Sequence, residues 1–172
     1  MKIKIYSKNK KGIPFKREGD ACEDIYVDFS EGTKIVLEPG ETKKFPIGLY
    51  SIIEKGYKVK LLERSSTGMK GLSLRAGVID SNYRGEWLVM LTNVSNIPVI
   101  FLDDEVYKYP EEDWKGSILY EGKSVNLYPL SKAICQMDVI KEEPRKIEEV
   151  SYEEIVLDKT ERGDGKEGSS GK

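Results

Sequence analysis

Histidine is missing from all 172 residues, and its absence removes Ser-His-Asp and Cys-His catalysis, imidazole metal sites and imidazole proton shuttles. Any general base must then be a carboxylate. Cysteine is nearly missing too. Cys22 and Cys135 are the two in the chain; they stand in unlike contexts, so neither a disulfide framework nor a zinc site has support, and both are expected reduced. Long apolar runs are lacking. Stretches such as Trp87 to Leu91 or Val99 to Leu102 fall far short of the ~20 residues of a membrane-spanning helix. No signal-peptide pattern opens the chain, so a cytoplasmic location without membrane contact is the expectation. An excess of charge is also lacking: 28 Lys and Arg against 30 Asp and Glu leave a formal net charge of -2. That gives no electrostatic case for binding nucleic acid. A small anionic substrate held by local basic groups remains open.

What is present is the material of one ordinary domain, able to bury a core without disulfides or structural metals. Hydrophobic residues make up 38% and charged residues 34%, a balance that points to a globular body with long exposed segments. Short runs rich in Val, Ile, Tyr and Leu recur at Ile3 to Tyr6, Ile25 to Phe29, Lys34 to Leu37, Gly48 to Ile53 and Tyr57 to Leu62, which predicts strands. Between them lie turn signals such as Glu38-Pro39-Gly40-Glu41 and Glu54-Lys55-Gly56, each with a glycine where positive φ is expected. Only Gly68 to Leu74 offers a helical turn. The fold class read from this pattern is all-β, a sandwich or jelly roll.

Two segments break the rhythm. From Ile97 to Val125 acidic clusters and the aromatics Tyr107, Tyr109, Trp114 and Tyr120 mark an insertion, whose aromatics either pack a satellite cluster or form a partner surface. From Asp158 onward apolar residues disappear, which predicts a mobile glycine-rich tail over 158–172 behind a β domain over 1–157.

Three groups of residues could carry chemistry. Arg64-Ser65-Ser66 follows a strand and precedes Gly68 and Gly71, gathering a guanidinium fork, hydroxyls and amides suited to phosphate, although a solvated turn would read the same. Gly77 to Trp87 reads as two strands joined by a turn at Ser81-Asn82, with Asp80 as a base beside the ring of Tyr83, or merely as a cap of the turn. Arg162, Ser169 and Ser170 could close over phosphates from the tail, or belong to an ordinary terminus.

Taken in order, these stretches resemble the motifs of the trimeric dUTPase family. Asp20 to Tyr26 resembles the first motif, Glu63 to Gly71 the second, Ala76 to Glu86 the third, Ala133 to Met137 the fourth and Arg162 to Gly171 the fifth. The resemblance implies a jelly-roll homotrimer that hydrolyses dUTP to dUMP and pyrophosphate with Mg2+, limiting uracil in DNA. It implies that Asp80 activates the attacking water and that the turn from Gly77 through Val78 and Ile79 to Tyr83 reads uracil, with Tyr83 under the deoxyribose. Arg64, Ser65, Ser66, Gln136, Arg162, Ser169 and Ser170 would hold phosphates, and Asp24 would order magnesium-bound waters. Each site would draw its motifs from different subunits. The interruption at 97–125 resembles the extra region of some phage members, so a phage origin is expected and, as the alternative function, a regulator that binds a partner protein through it. Deamination of dCTP, which shares the fold and an Arg-Ser-Ser motif, uses a glutamate on the strand after the turn, and Trp87 to Asn93 contains no carboxylate. The chain departs from the family where Ala21-Cys22-Glu23-Asp24 replaces Ala-Gly-Tyr-Asp, where Ser131-Lys132-Ala133 replaces Gly-Asp-Arg and where Lys166-Glu167 replaces Gly-Phe.

Overall fold

The structure is a computed structural model, and it describes residues 1–8, 13–29, 34–102, 117–120 and 123–160. Along the chain run β1 (Ile3–Ser7), β2 (Glu23–Ile25), β3 (Lys34–Leu37), β4 (Thr42–Pro46), β5 (Leu49–Ile53) and β6 (Tyr57–Leu62), then the single turn of α1 (Ser65–Gly68). There follow β7 (Leu72–Arg75), β8 (Val78–Ile79), β9 (Leu88–Asn93), β10 (Val99–Leu102), β11 (Ser117–Tyr120), β12 (Lys123–Pro129), β13 (Cys135–Lys141) and α2 (Tyr152–Leu157). The all-β expectation is met. Contacts divide the chain into two compact units, 1–142 and 143–172.

Strands β3 and β6 begin and end where the apolar pattern places them. On β6 the inward residues Val59 and Leu61 alternate with Lys58, Lys60 and Leu62, the half-buried period of two that one covered face produces. Both turn glycines adopt positive φ, +77° at Gly40 and +87° at Gly56, inside turns closed by Glu41 N–H to Glu38 O at 3.0 Å and Tyr57 N–H to Glu54 O at 3.2 Å.

Among the described residues the strands form four sheets, ordered β1-β5, β11-β12-β10-β3, β2-β13-β6-β8 and β4-β9-β7. A chain of rings fills the main core, Phe45 against Phe101 at 4.8 Å and Phe101 against Tyr128 at 5.4 Å between centroids. Trp87 is wholly buried there, and its indole N–H donates to the buried Ser51 hydroxyl at 3.1 Å, which satisfies the polar group that β5 turns inward.

Three sequence expectations change. The helical turn lies at Ser65–Gly68, ahead of Gly68 to Leu74, because Gly71 at φ +74° ends it and Leu72 already enters β7. The paired strands expected from Gly77 to Trp87 do not form a ladder: β8 pairs with β6, and β9 pairs with β4 and β7 in another sheet. Of the stretch 97–125, Val99–Leu102 is buried on both faces, Val99 and Phe101 in the main core and Ile100 and Leu102 in a second cluster with Val125 and Leu127. Tyr107, Tyr109 and Trp114 of that stretch lie outside the described residues.

In the second unit, Ser151 caps α2 by accepting the Glu154 N–H at 3.2 Å, and Glu153 and Glu154 sit in the first turn, where the helix dipole favours them. Its apolar side chains, among them Ile155 and Leu157, are exposed. No helix among the described residues is long and apolar enough to cross a membrane.

Candidate active site

The register of β13 assembles the first cluster. Gln136 lies opposite Asp24 of β2 on one side and Leu62 of β6 on the other, so residues 112 positions apart meet across three strands. One step past Leu62, the Gln136 side-chain amide donates to Glu63 O at 3.0 Å. Arg64 comes next. Its main chain is tied at both ends by the buried Thr67, whose hydroxyl accepts the Arg64 N–H at 3.2 Å and donates to Arg64 O at 2.7 Å. The backbone of Arg64 is therefore fixed before its side chain does anything.

That side chain grips Asp24 with two nitrogens, Nε to Oδ1 at 2.9 Å and Nη2 to Oδ2 at 3.2 Å, and Nη1 donates to Ala133 O at 2.8 Å. The same carbonyl accepts the Tyr128 hydroxyl at 2.6 Å. Burial pushes that phenol up to about 12 against the opposing pull of the Arg64 charge, so it stays a donor at any ordinary pH. Asp24, Arg64, Ser65, Ser66 and Gln136 together line an open cleft of about 540 Å3. Lys16 and Arg17 line it too, and sequence reasoning passed over them. They sit in an irregular loop without periodicity; the available signal was an adjacent basic pair just ahead of Asp20 to Tyr26.

The second cluster hangs on β8. Ala76 takes φ +60° and Gly77 φ +124°, and a Cβ at Gly77 would come within 3.2 Å of the Leu61 Cβ. Gly77 O accepts the Leu61 N–H at 2.7 Å, which presses this bend against β6. Val78 and Ile79 pair with β6 alone, so β8 is the edge of its sheet among the described residues, with its outer main-chain groups available to a ligand. Ile79 anchors it in the core while Val78, Asp80 and Tyr83 face solvent.

A turn closed by Tyr83 N–H to Asp80 O at 3.1 Å follows. Arg84 Nη1 staples it by donating to Ser81 O at 2.7 Å and Tyr83 O at 2.8 Å. The Tyr83 hydroxyl donates to Glu86 O at 2.9 Å, which lays the ring over Gly85; a Cβ there would stand 2.4 Å from the Tyr83 oxygen. Gly85 is thus needed for space. Glu86 in turn accepts the Gly48 N–H at 3.1 Å. Asp80, Lys55, Arg84 and Glu142 line an open cleft of about 560 Å3.

The residues singled out from sequence therefore fall into two sets. Asp24, Arg64, Ser65, Ser66 and Gln136 converge, whereas Asp80 lines the other cleft, beside Gly77, Val78, Ile79 and Tyr83. Arg162, Ser169 and Ser170 lie outside the described residues. No group of three or more Cys, Asp or Glu able to hold a metal directly occurs among the described residues.

Comparison with known proteins gives one consistent answer. A family model described as dUTPase matches residues 8–102. The deoxyuridine 5'-triphosphate nucleotidohydrolase of Finegoldia magna is 31% identical over 176 residues, covering 99% of each chain. Among solved structures, the dUTPase of Staphylococcus bacteriophage 80alpha with dUPNHPP superposes with a TM-score of 0.70 at 23% identity, covering 99% of both chains. A mutant dUTPase from phage phi11 of S. aureus, described with a structural Mg(II) ion, does so with a TM-score of 0.61 at 18% identity, over 89% of this chain and 99% of its own. At such identities the structures speak for the fold.

Proposed function

The chain belongs to the dUTPase family, and from that premise we propose that it hydrolyses dUTP to dUMP and pyrophosphate, with Asp80 as the general base, in a homotrimer whose active sites lie between subunits. The observation that carries the reading is the division of its site residues into two open half-sites. A lone chain has Arg64, Ser65, Ser66 and Gln136 in one cleft and Asp80 in another. Apposition of the first cleft of one subunit to the second cleft of its neighbour unites them.

In that arrangement the open edge of β8 presents alternating amide and carbonyl groups to the uracil edge, a match that needs no side chain. The stapled turn leaves little room for a methyl at the base, and the ring of Tyr83 beneath the sugar clashes with a 2′-hydroxyl, so thymine and ribose are refused by shape. Ser65, Ser66, Gln136 and the uncommitted N–H of Arg64 are neutral and charged donors for phosphate oxygens. Asp80 takes a proton from water as its oxygen bonds to the α-phosphorus. The bond from that phosphorus to the bridging oxygen breaks, and pyrophosphate leaves.

Magnesium fits these residues as a hydrated ion. The Asp24 carboxylate spends one lone pair of each oxygen on Arg64 and keeps others for metal-bound waters, and Asp20 lines the same cleft. Bound through the triphosphate, the ion would supply charge neutralisation. The test is pyrophosphate release from dUTP with dTTP, dCTP and UTP in parallel. Release from dUTP alone is expected; release from none of the four would overturn the reading.

A further inference from the structure

Arg64 is the most prominent cation that the sequence offers to phosphate, yet in the folded chain most of its donors are committed. Nε and Nη2 hold Asp24, and Nη1 holds Ala133 O with Ser66 Oγ at 3.5 Å. An ion pair made inside the cleft wall offsets the guanidinium charge and turns its fork along the wall. Ser65, Ser66 and Gln136 add only neutral donors. A triphosphate brings several negative charges, and neutral hydroxyls and amides match them poorly.

The same cleft carries two more cations. Lys16 and Arg17 follow Phe15, whose backbone pairs with that of Asp24 through N–H to O bonds of 2.7 and 3.4 Å. The residue gripped by Arg64 thus also holds the basic pair at the rim. The loop is closed behind them by Asp20, whose carboxylate accepts the Arg17 N–H at 3.2 Å and whose own N–H donates to Arg17 O at 3.1 Å. Lys16 Nζ stands 3.6 Å from Glu23 Oε1, beyond hydrogen-bond reach, with a side chain 46% exposed. The Arg17 guanidinium makes no ion pair among the described residues.

We propose that Lys16 and Arg17 are the cations that bind the phosphate chain of the nucleotide, and that Arg64 is chiefly the brace that shapes the wall behind it. This rests on reading the cleft as the phosphate half-site of a dUTP hydrolase. Arg17 supplies a fork that two phosphate oxygens can share, and Lys16 a point charge on a flexible stem with Glu23 as its counter-ion at 3.6 Å.

Inorganic tripolyphosphate carries the phosphate chain without base or sugar, so it is titrated calorimetrically into the full-length wild type, Lys16→Ala, Arg17→Ala and Glu23→Gln, with dUTP kinetics on the same proteins. Each alanine variant should bind tripolyphosphate about tenfold or more weakly, as for one lost charge-assisted contact. The KM for dUTP should rise in step while affinity for deoxyuridine stays unchanged. Glu23→Gln should tighten tripolyphosphate by releasing Lys16. Unchanged tripolyphosphate affinity and unchanged KM in both alanine variants would overturn the assignment. A wild type that fails to hydrolyse dUTP, yet loses tripolyphosphate affinity in these variants, would remove the enzymatic reading and leave the phosphate site standing.

Discussion

Arg64 and Asp24 form a two-pronged ion pair, 2.9 Å from Nε to Oδ1 and 3.2 Å from Nη2 to Oδ2, that fastens the end of β6 to β2 across the intervening β13. The fork geometry matters more than the charge. Arg64→Lys keeps the charge but cannot hold both oxygens and Ala133 O together. With side chains 24% and 31% exposed, the pair is screened, so a stability loss of about 1 kcal/mol is expected. The KM for dUTP should nonetheless rise severalfold, because the wall shifts. Urea unfolding and initial rates on the same variant check both halves.

Asp80→Asn preserves shape and turn while removing the proton acceptor. Turnover of dUTP should fall ~100-fold or more, with binding of a non-hydrolysable dUTP analogue within a few-fold of wild type. Near-normal turnover would move the base elsewhere.

Gly85 lies under the ring of Tyr83, and a methyl there would stand 2.4 Å from the phenol oxygen. Gly85→Ala should therefore lift the ring and break its bond to Glu86 O. The expected signature is a larger gain in UTP hydrolysis than loss in dUTP hydrolysis, resembling Tyr83→Ala. An unaltered ratio of the two specificity constants would separate Tyr83 from sugar selection.

The two thiols should behave differently. Burial pushes Cys135 up to about 12 and, more modestly, raises Cys22, which lines the phosphate cleft. Iodoacetamide at pH 8 should modify Cys22 alone in the native chain, and dUTP should slow it. Both thiols should react after unfolding. The linkage sign follows. An acid whose folded pKa lies above its unfolded value releases its proton first from the unfolded chain, so stability is intact below about 9 and falls as pH rises towards about 12. Cys135→Ala should flatten that decline in urea unfolding measured across the same range.

Trp87→Phe tests the core. It leaves the Ser51 hydroxyl buried without its 3.1 Å donor, a loss of about 1 to 3 kcal/mol in unfolding free energy.

Sequence reasoning located strands where one face is covered, because Val59 and Leu61 alternating with lysines can mean little else. It singled out Arg64, Ser65 and Ser66 because their residue types suit phosphate, and Gln136 through the family resemblance alone; the register of β13 brings all four to one cleft. What escaped it had no periodic signature. Lys16 and Arg17 belong to a loop; the partner of β8 is β6, a choice between sheets that local pattern cannot express. The helix α2 leaves little trace in the sequence although Ser151 and Glu154 have the spacing of a capping box, since fewer than two turns of weakly apolar chain follow. The all-apolar Val99–Leu102 does not stand apart from the interruption after it, because burial on both faces erases alternation.

That last strand has a consequence for how this protein can change over generations. Strand β10 runs parallel to β12, and β11 lies on the far side of β12. The first residue of β11, opposite Asn126, therefore lies two strand positions from Leu102 and about three residues back along the sheet. Two strand spacings of about 4.8 Å and some 10 Å along the strands call for roughly 14 Å, about five extended residues. Fourteen residues, 103 to 116, are available. Most of that length is surplus to connection, so the segment can be shortened, lengthened or rewritten while the rings of Phe45, Phe101 and Tyr128 stay in register. The interval between β10 and β11 is where this fold can acquire new sequence at least cost to its core, and a lineage under pressure to change would find its freedom there first.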